Sequence, residues 1–119
     1  MKKIISNGDK MYILDNFLSP RLCKKYFKMI NDIGYQENSL PWEDRIIDIT
    51  KDPIVQIEYN SLIYLNEKFK GGEFYTKNGI NLKPKKGMLT FFNGQTVHHG
   101  VKKVFNNDRK TIIFWWRKN

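Results

Sequence analysis

The stretch GMLTFFNGQTVHHGVKKVFNNDRKTIIFWW, residues 87–116, decides how the chain folds. Apolar segments at 88–92, 97–105 and 111–116 are separated by Asn93-Gly94 and by Asn106-Asn107-Asp108, both strong turn signals. The pattern continues upstream, with apolar segments at 57–65, 73–76 and 80–83 divided by Gly71-Gly72, Asn78-Gly79 and the KPKKG run at 83–87. Short strands at near-regular spacing predict a sandwich or barrel rather than a parallel sheet with crossover helices.

The N-terminal part reads differently. A short strand is expected at 11–14. Ser19 then suits a helix cap, and Pro20 suits the first helical position. Leu22, Tyr26, Phe27, Ile30 and Ile33 recur at helical spacing toward a stop at Gly34, while Arg21, Lys24, Lys25 and Lys28 form a solvated face. A second short strand is expected at 45–49. Asp52-Pro53 announces another helix, yet from Ile57 the residues are strand formers, so a helix start stands with no helix body behind it. The fold class is α+β, a helix packed on a jelly-roll core. One domain is expected over 1–119, with a strand-and-helix region at 1–56 and the β part at 57–119.

Composition narrows the class. The chain has 119 residues, is 40% hydrophobic and carries a formal charge of +9. It has a mean hydropathy of −0.58 and no long apolar run, which together argue against a membrane span. A single cysteine, Cys23, excludes an internal disulfide, and with no apolar leader at the N-terminus it predicts a reducing, cytoplasmic setting. The positive charge allows an anionic partner. Lys83, Lys85, Lys86, Lys102, Lys103 and Arg117 lie near Phe105, Trp115 and Trp116, an interleaving that suits single-stranded nucleic acid. The scatter of the lysines makes nucleic acid the less favoured partner, and the aromatics are expected to be core strand residues.

The chemistry-bearing residues cluster at the C-terminal end. Both histidines are adjacent, and alternation along a strand puts His99 on one face with Val101 and His98 on the other. One metal ligand from this pair is plausible, two are not. A strand histidine is more often a hydrogen-bonded structural residue than a ligand. Arg109, with Thr111 two residues on, offers a guanidinium fork and a hydroxyl, a receptor for a carboxylate if the side chains turn inward.

Taken with SLIYLNEKFKGGEFY at 61–75, YILDNFLSPRLCKKYFKMIND at 12–32 and TKDPIVQ at 50–56, this C-terminal stretch resembles the Fe(II)/2-oxoglutarate-dependent oxygenases, in particular the prolyl 4-hydroxylase-like group. The resemblance covers most of the chain in family order. It implies a double-stranded β-helix of jelly-roll type. It implies Fe(II) at His99, 2-oxoglutarate at Arg109, Thr111 and Tyr64, and hydroxylation of a prolyl or other peptidyl substrate. The family's first histidine and its carboxylate come as His-x-Asp, but this chain has no histidine before His98. Two of the three iron ligands are therefore absent, with Glu58, Glu67, Glu73 and Asp44 as the carboxylates that remain to be weighed. The segments resembling TKDPIVQ and the following core strand run together at Gln56-Ile57, where the helix start lacks its body. The chain reads as an internally shortened family member with an incomplete jelly-roll. Its exposed sheet edges would favour a homodimer or strand swap. Oxygenase and non-catalytic binding module are both carried forward, the second favoured for activity.

Overall fold

In the computed structural model, which describes residues 1–33 and 59–116, the chain opens with a hairpin. β1 (Lys2–Ser6) pairs antiparallel with β2 (Asp9–Leu14). The turn is Asn7-Gly8, at φ 48° and 92°, the left-handed pair that a tight hairpin requires. The sequence reading placed a strand only at 11–14. β1 lies upstream of that segment, with Lys2 and Lys3 breaking its apolar pattern, and the Asn7-Gly8 turn brings it onto β2.

α1 (Pro20–Ile33) follows. The backbone N–H of Leu22 donates to Ser19 Oγ at 3.3 Å, so Ser19 is the cap its position predicted. Lys24, Lys25 and Lys28 are exposed, and Cys23 is fully buried. Burial pushes the Cys23 thiol above its ordinary pKa.

The β region contains β3 (Tyr59–Tyr64), β4 (Lys70–Gly71), β5 (Phe74–Thr76), β6 (Asn81–Leu82), β7 (Leu89–Asn93), β8 (His99–Val101), β9 (Val104–Phe105) and β10 (Thr111–Trp116). They form a five-stranded sheet in the order β1-β2-β7-β3-β10, a three-stranded sheet β6-β5-β8 and a two-stranded ladder β4-β9, with every pairing antiparallel. One core joins the large sheet to the three-stranded one. It contains Met11, Ile13, Leu62, Tyr64, Phe74, Ile80, Met88, Phe92 and Val97.

Each predicted segment that falls among the described residues carries a strand, with two changes. The segment at 97–105 is two strands in two different sheets, because the backbone N–H of Gly72 takes the carbonyls of Lys102 and Lys103 and draws that part toward β4. Gly71 belongs to a strand rather than wholly to a turn. The aromatics expected in the core are also corrected. Phe105, Trp115 and Trp116 are 49%, 64% and 52% exposed. β10 is the outermost strand of its sheet among the described residues, so its side chains lack a neighbour on one side. The strand expected at 45–49 and the helix start at Asp52-Pro53 lie outside the described residues.

Gly87 ties α1 to the sheet. At φ +83° its backbone donates to the Tyr64 carbonyl at 2.7 Å and accepts from the Leu18 N–H at 3.0 Å. A Cβ there would stand 2.4 Å from the Leu18 carbonyl oxygen, so only glycine fits.

Candidate dicarboxylate and metal site

The site is built from β3, β7, β8 and the segment leading into β10. Tyr64 ends β3, fully buried, its hydroxyl without a hydrogen bond of good geometry. Thr90, on β7, is also fully buried with its Oγ1 unpartnered. Its register partner on β3 is Leu62, two residues before Tyr64, so both polar groups share one face. The Arg109 guanidinium lies over the Tyr64 ring at 5.1 Å, and its Nε and Nη2 are buried without partners. Thr111 pairs in register with Tyr64 and therefore presents on the same face.

Three kinds of buried polar group thus converge near one another, and none makes a hydrogen bond of good geometry. Each such group costs about 1–3 kcal/mol when left unmade. Two of the three guanidinium nitrogens of Arg109 are buried, while the residue as a whole is half-buried and reaches an open cleft. Burial pushes the Tyr64 phenol above its ordinary value, and the Arg109 charge and the Thr90 hydroxyl pull it part of the way back. Tyr64 therefore keeps its proton as a donor at neutral pH. Burial draws the Arg109 guanidinium down, and Tyr64 beside it opposes that shift. A guanidinium, a phenol and an alcohol, all able to donate, form a receptor for a carboxylate.

The backbone around Arg109 is clamped. Asn66 Nδ2 donates to the Asp108 carbonyl at 2.6 Å, and Asn66 Oδ1 accepts the Lys110 N–H at 3.0 Å. The Leu65 N–H reaches the Lys110 carbonyl at 3.0 Å. Arg109 is held between these bonds with its side chain turned toward Tyr64, while Lys110 turns to α1 and meets Asn31 and the Phe27 ring. Gly72 makes room for the arginine. A Cβ at Gly72, where φ is +71°, would meet Phe69 Cε2 at 2.6 Å and Arg109 Cδ at 3.2 Å. Arg109 and Thr111 also line an open cleft of about 400 Å³ with Ile30, Asp108 and Lys110.

His99 begins β8. Its ring stacks on Phe74 at 5.5 Å and meets the edge of Phe92 at 4.8 Å, two core aromatics, while His99 itself stays exposed. Nδ1 lies 2.8 Å from the Val97 carbonyl. A carbonyl oxygen can only accept, so Nδ1 carries a proton and points Nε2 away from this bond, the arrangement a metal-binding imidazole uses. His98 lies outside the strand and is exposed.

Sequence reasoning brought Arg109, Tyr64 and Thr111 together and the structure does the same. It missed Thr90 and Asn66. Thr90 could have been found as a hydroxyl on the inward parity of β7 between Met88 and Phe92. Asn66 carried no such signal, because its partners are backbone groups distant in sequence.

A family model described as the 2OG-Fe(II) oxygenase superfamily matches residues 38–117. The chain belongs to this superfamily. Over 66 residues it is 36% identical to prolyl 3-hydroxylase 2 of Rattus norvegicus and to that of Homo sapiens, a stretch covering 50% of this chain and 9% of each relative. The protein of that name from Gallus gallus matches equally well over 10% of its length. The chain thus spans a small fraction of these relatives.

The superfamily implies Fe(II) and 2-oxoglutarate and a double-stranded β-helix fold, with which the antiparallel sheets agree. The two groups fare differently against the residues present. The unpartnered donors of Arg109, Tyr64 and Thr90 fit a 2-oxoglutarate carboxylate. Iron finds less. Among the described residues no three His, Cys, Asp or Glu side chains gather into a set that could hold a metal. Glu67 Oε2 accepts the Lys86 N–H at 3.2 Å and serves that loop. Glu73 joins no such set with His99. Glu58 and Asp44 lie outside the described residues. His99, exposed at the start of β8, is the one imidazole among the described strands whose second nitrogen suits a metal, and one ligand does not make the family's three-ligand site.

Proposed function

We propose that this chain is a 2-oxoglutarate-binding domain of the prolyl-hydroxylase-like kind, in which the cosubstrate end of the site is intact and the iron end is reduced to His99. The observation that carries the reading is the set of buried, unpartnered donors on Arg109, Tyr64 and Thr90. Arg109 supplies the charge and a two-pronged hydrogen bond to the distal carboxylate. Tyr64 and Thr90 donate from the sides, and Thr111 stands at the rim. When bound, 2-oxoglutarate supplies a 2-oxo acid whose oxidative decarboxylation drives hydroxylation in this superfamily. The binding role needs only the pocket; turnover needs a complete metal centre as well.

Hydroxylation of a peptidyl substrate is the second reading, favoured by the free Nε2 of His99. Anaerobic loading with Fe(II) and 2-oxoglutarate, then oxygen and assay for succinate, separates the two. The binding reading expects 2-oxoglutarate to bind and succinate to stay at the no-protein level. Succinate formation that disappears in His99→Ala would make the chain an oxygenase and overturn the reduced-site reading.

A further inference from the structure

The five-stranded sheet turns one face to the core and the other away from it. One row of residues crosses the outward face in register: Lys3, Tyr12, Phe91, Ser61 and Phe114 are successive partners from β1 to β10. In the next row Tyr59 pairs with Trp116. Met11, Phe92 and Leu62, at the alternate positions, lie in the core, so strand alternation puts both rows on the opposite face. Outward positions of an antiparallel sheet are ordinarily polar. Here they are aromatic. Tyr59 stacks on Phe91 with centroids 5.1 Å apart and planes 11° apart, and Tyr12 tilts against Phe91 at 6.4 Å. These three rings brace one another, as cross-strand pairs do. Phe114 and Trp116 carry the rows on to β10 with less cover, 43% and 52% exposed, their centroids 6.3 Å apart. The Trp116 indole N–H donates to Ser61 Oγ at 2.9 Å, which leans the ring back over β3 instead of letting it project.

The charge on this face has one sign. Lys3, whose Nζ lies 5.8 Å from the Tyr12 ring centroid, and Lys10 are both exposed there. No outward position of the five strands is Asp or Glu, and the chain carries a formal charge of +9. We propose that this outward face binds single-stranded nucleic acid, with bases stacked on Phe114 and Trp116 and the phosphate backbone drawn across the sheet toward Lys3 and Lys10. From β10 to β1 is four strand gaps, roughly 19 Å, enough for several nucleotides. Every base has a π-face, so stacking of this kind tolerates any sequence, and a duplex, whose bases are already stacked, cannot use it. Scattered lysines made nucleic acid the less favoured partner on sequence alone. The register changes that weight by gathering aromatics from four strands onto one face.

Fluorescence anisotropy with the purified full chain tests this. The probes are labelled oligo(dT) and oligo(U) of about twelve nucleotides and a DNA duplex of the same length. Both single strands should bind, and the duplex should bind at least ~10-fold more weakly. Affinity should fall by ~5- to 20-fold between about 50 and 200 mM salt. Trp116→Ala and Phe114→Ala should each weaken binding by ~10-fold. Trp115→Ala, on the opposite face of the same strand, should change it by less than ~2-fold. A thermal melt of each variant confirms that it is folded, and the Lys3→Glu, Lys10→Glu double variant, expected to weaken binding by ~10-fold, keeps the test open if an aromatic variant does not fold. Equal binding of duplex and single strand, a loss in Trp115→Ala as large as in Trp116→Ala, or no binding at the lower salt would overturn the proposal. So would Trp116-dependent self-association in sedimentation without oligonucleotide binding, which gives the face to a second copy, or binding to phosphatidylserine vesicles alone, which gives it to a membrane.

Discussion

Tyr64 shows how one side chain joins stability to function. Its phenol is buried in the core, yet its hydroxyl makes no hydrogen bond of good geometry. Its folded pKa lies above the unfolded value near 10.0. Between those two values the unfolded chain holds fewer protons than the folded one. The stabilisation from keeping Tyr64 neutral is therefore whole below about pH 10 and is lost as pH rises through the folded value. Urea unfolding from pH 8 to 11 should show stability falling at the alkaline end, and Tyr64→Phe should flatten that part of the fall. The same substitution removes one donor from a bound carboxylate, so diacid affinity should drop by ~5-fold. An alkaline slope unchanged in Tyr64→Phe would remove Tyr64 from the account. Cys23 gives a second readout at this scale. Fully buried, with its thiol pKa raised, it should react with a disulfide reagent only as fast as the protein opens.

Between elements, the decisive contacts are those that seat the segment before β10. Asn66 bonds on both sides of Arg109, so Asn66→Ala should loosen the segment without touching the pocket wall. The expected effect is a ~10-fold weaker diacid Kd and a modest loss of stability of about 1–2 kcal/mol, read by calorimetry and urea unfolding. Gly72→Ala should act the same way by displacing Arg109 and Phe69. An Asn66→Ala protein with wild-type affinity would show that Arg109 is placed by stacking on Tyr64 alone. The strands were legible because turn residues separate them and their apolar residues are β formers, and α1 was legible from Ser19, Pro20 and its period. The division of 97–105 between two sheets was not legible, because it depends on Gly72 bonding to Lys102 and Lys103, some thirty residues away. The exposure of Trp115 and Trp116 was hidden for a related reason. An apolar strand reads the same whether it lies inside a sheet or at its edge.

At the scale of the whole molecule, the proposed site has its donors gathered at one end, and among the described residues β10 is an unpaired edge of the large sheet. β10 presents Ile113, Phe114, Trp115 and Trp116 to solvent, an apolar edge of the kind that pairs with other chains. Trp115→Lys should lower light scattering at equal concentration and, if a second copy pairs there, shift sedimentation toward the monomer, leaving diacid binding unchanged. The missing His-x-Asp was legible as an absence from the sequence itself. Arg109 and Tyr64 were named from the sequence, and the structure adds Thr90 beside them. The central claim is that these three residues hold a carboxylate. A crystal structure of the protein soaked with 2-oxoglutarate tests it most directly. The account predicts the distal carboxylate within hydrogen-bond distance of the Arg109 guanidinium, Tyr64 Oη and Thr90 Oγ1. Electron density for the diacid elsewhere, with those three groups bonded only to one another or to water, would contradict it.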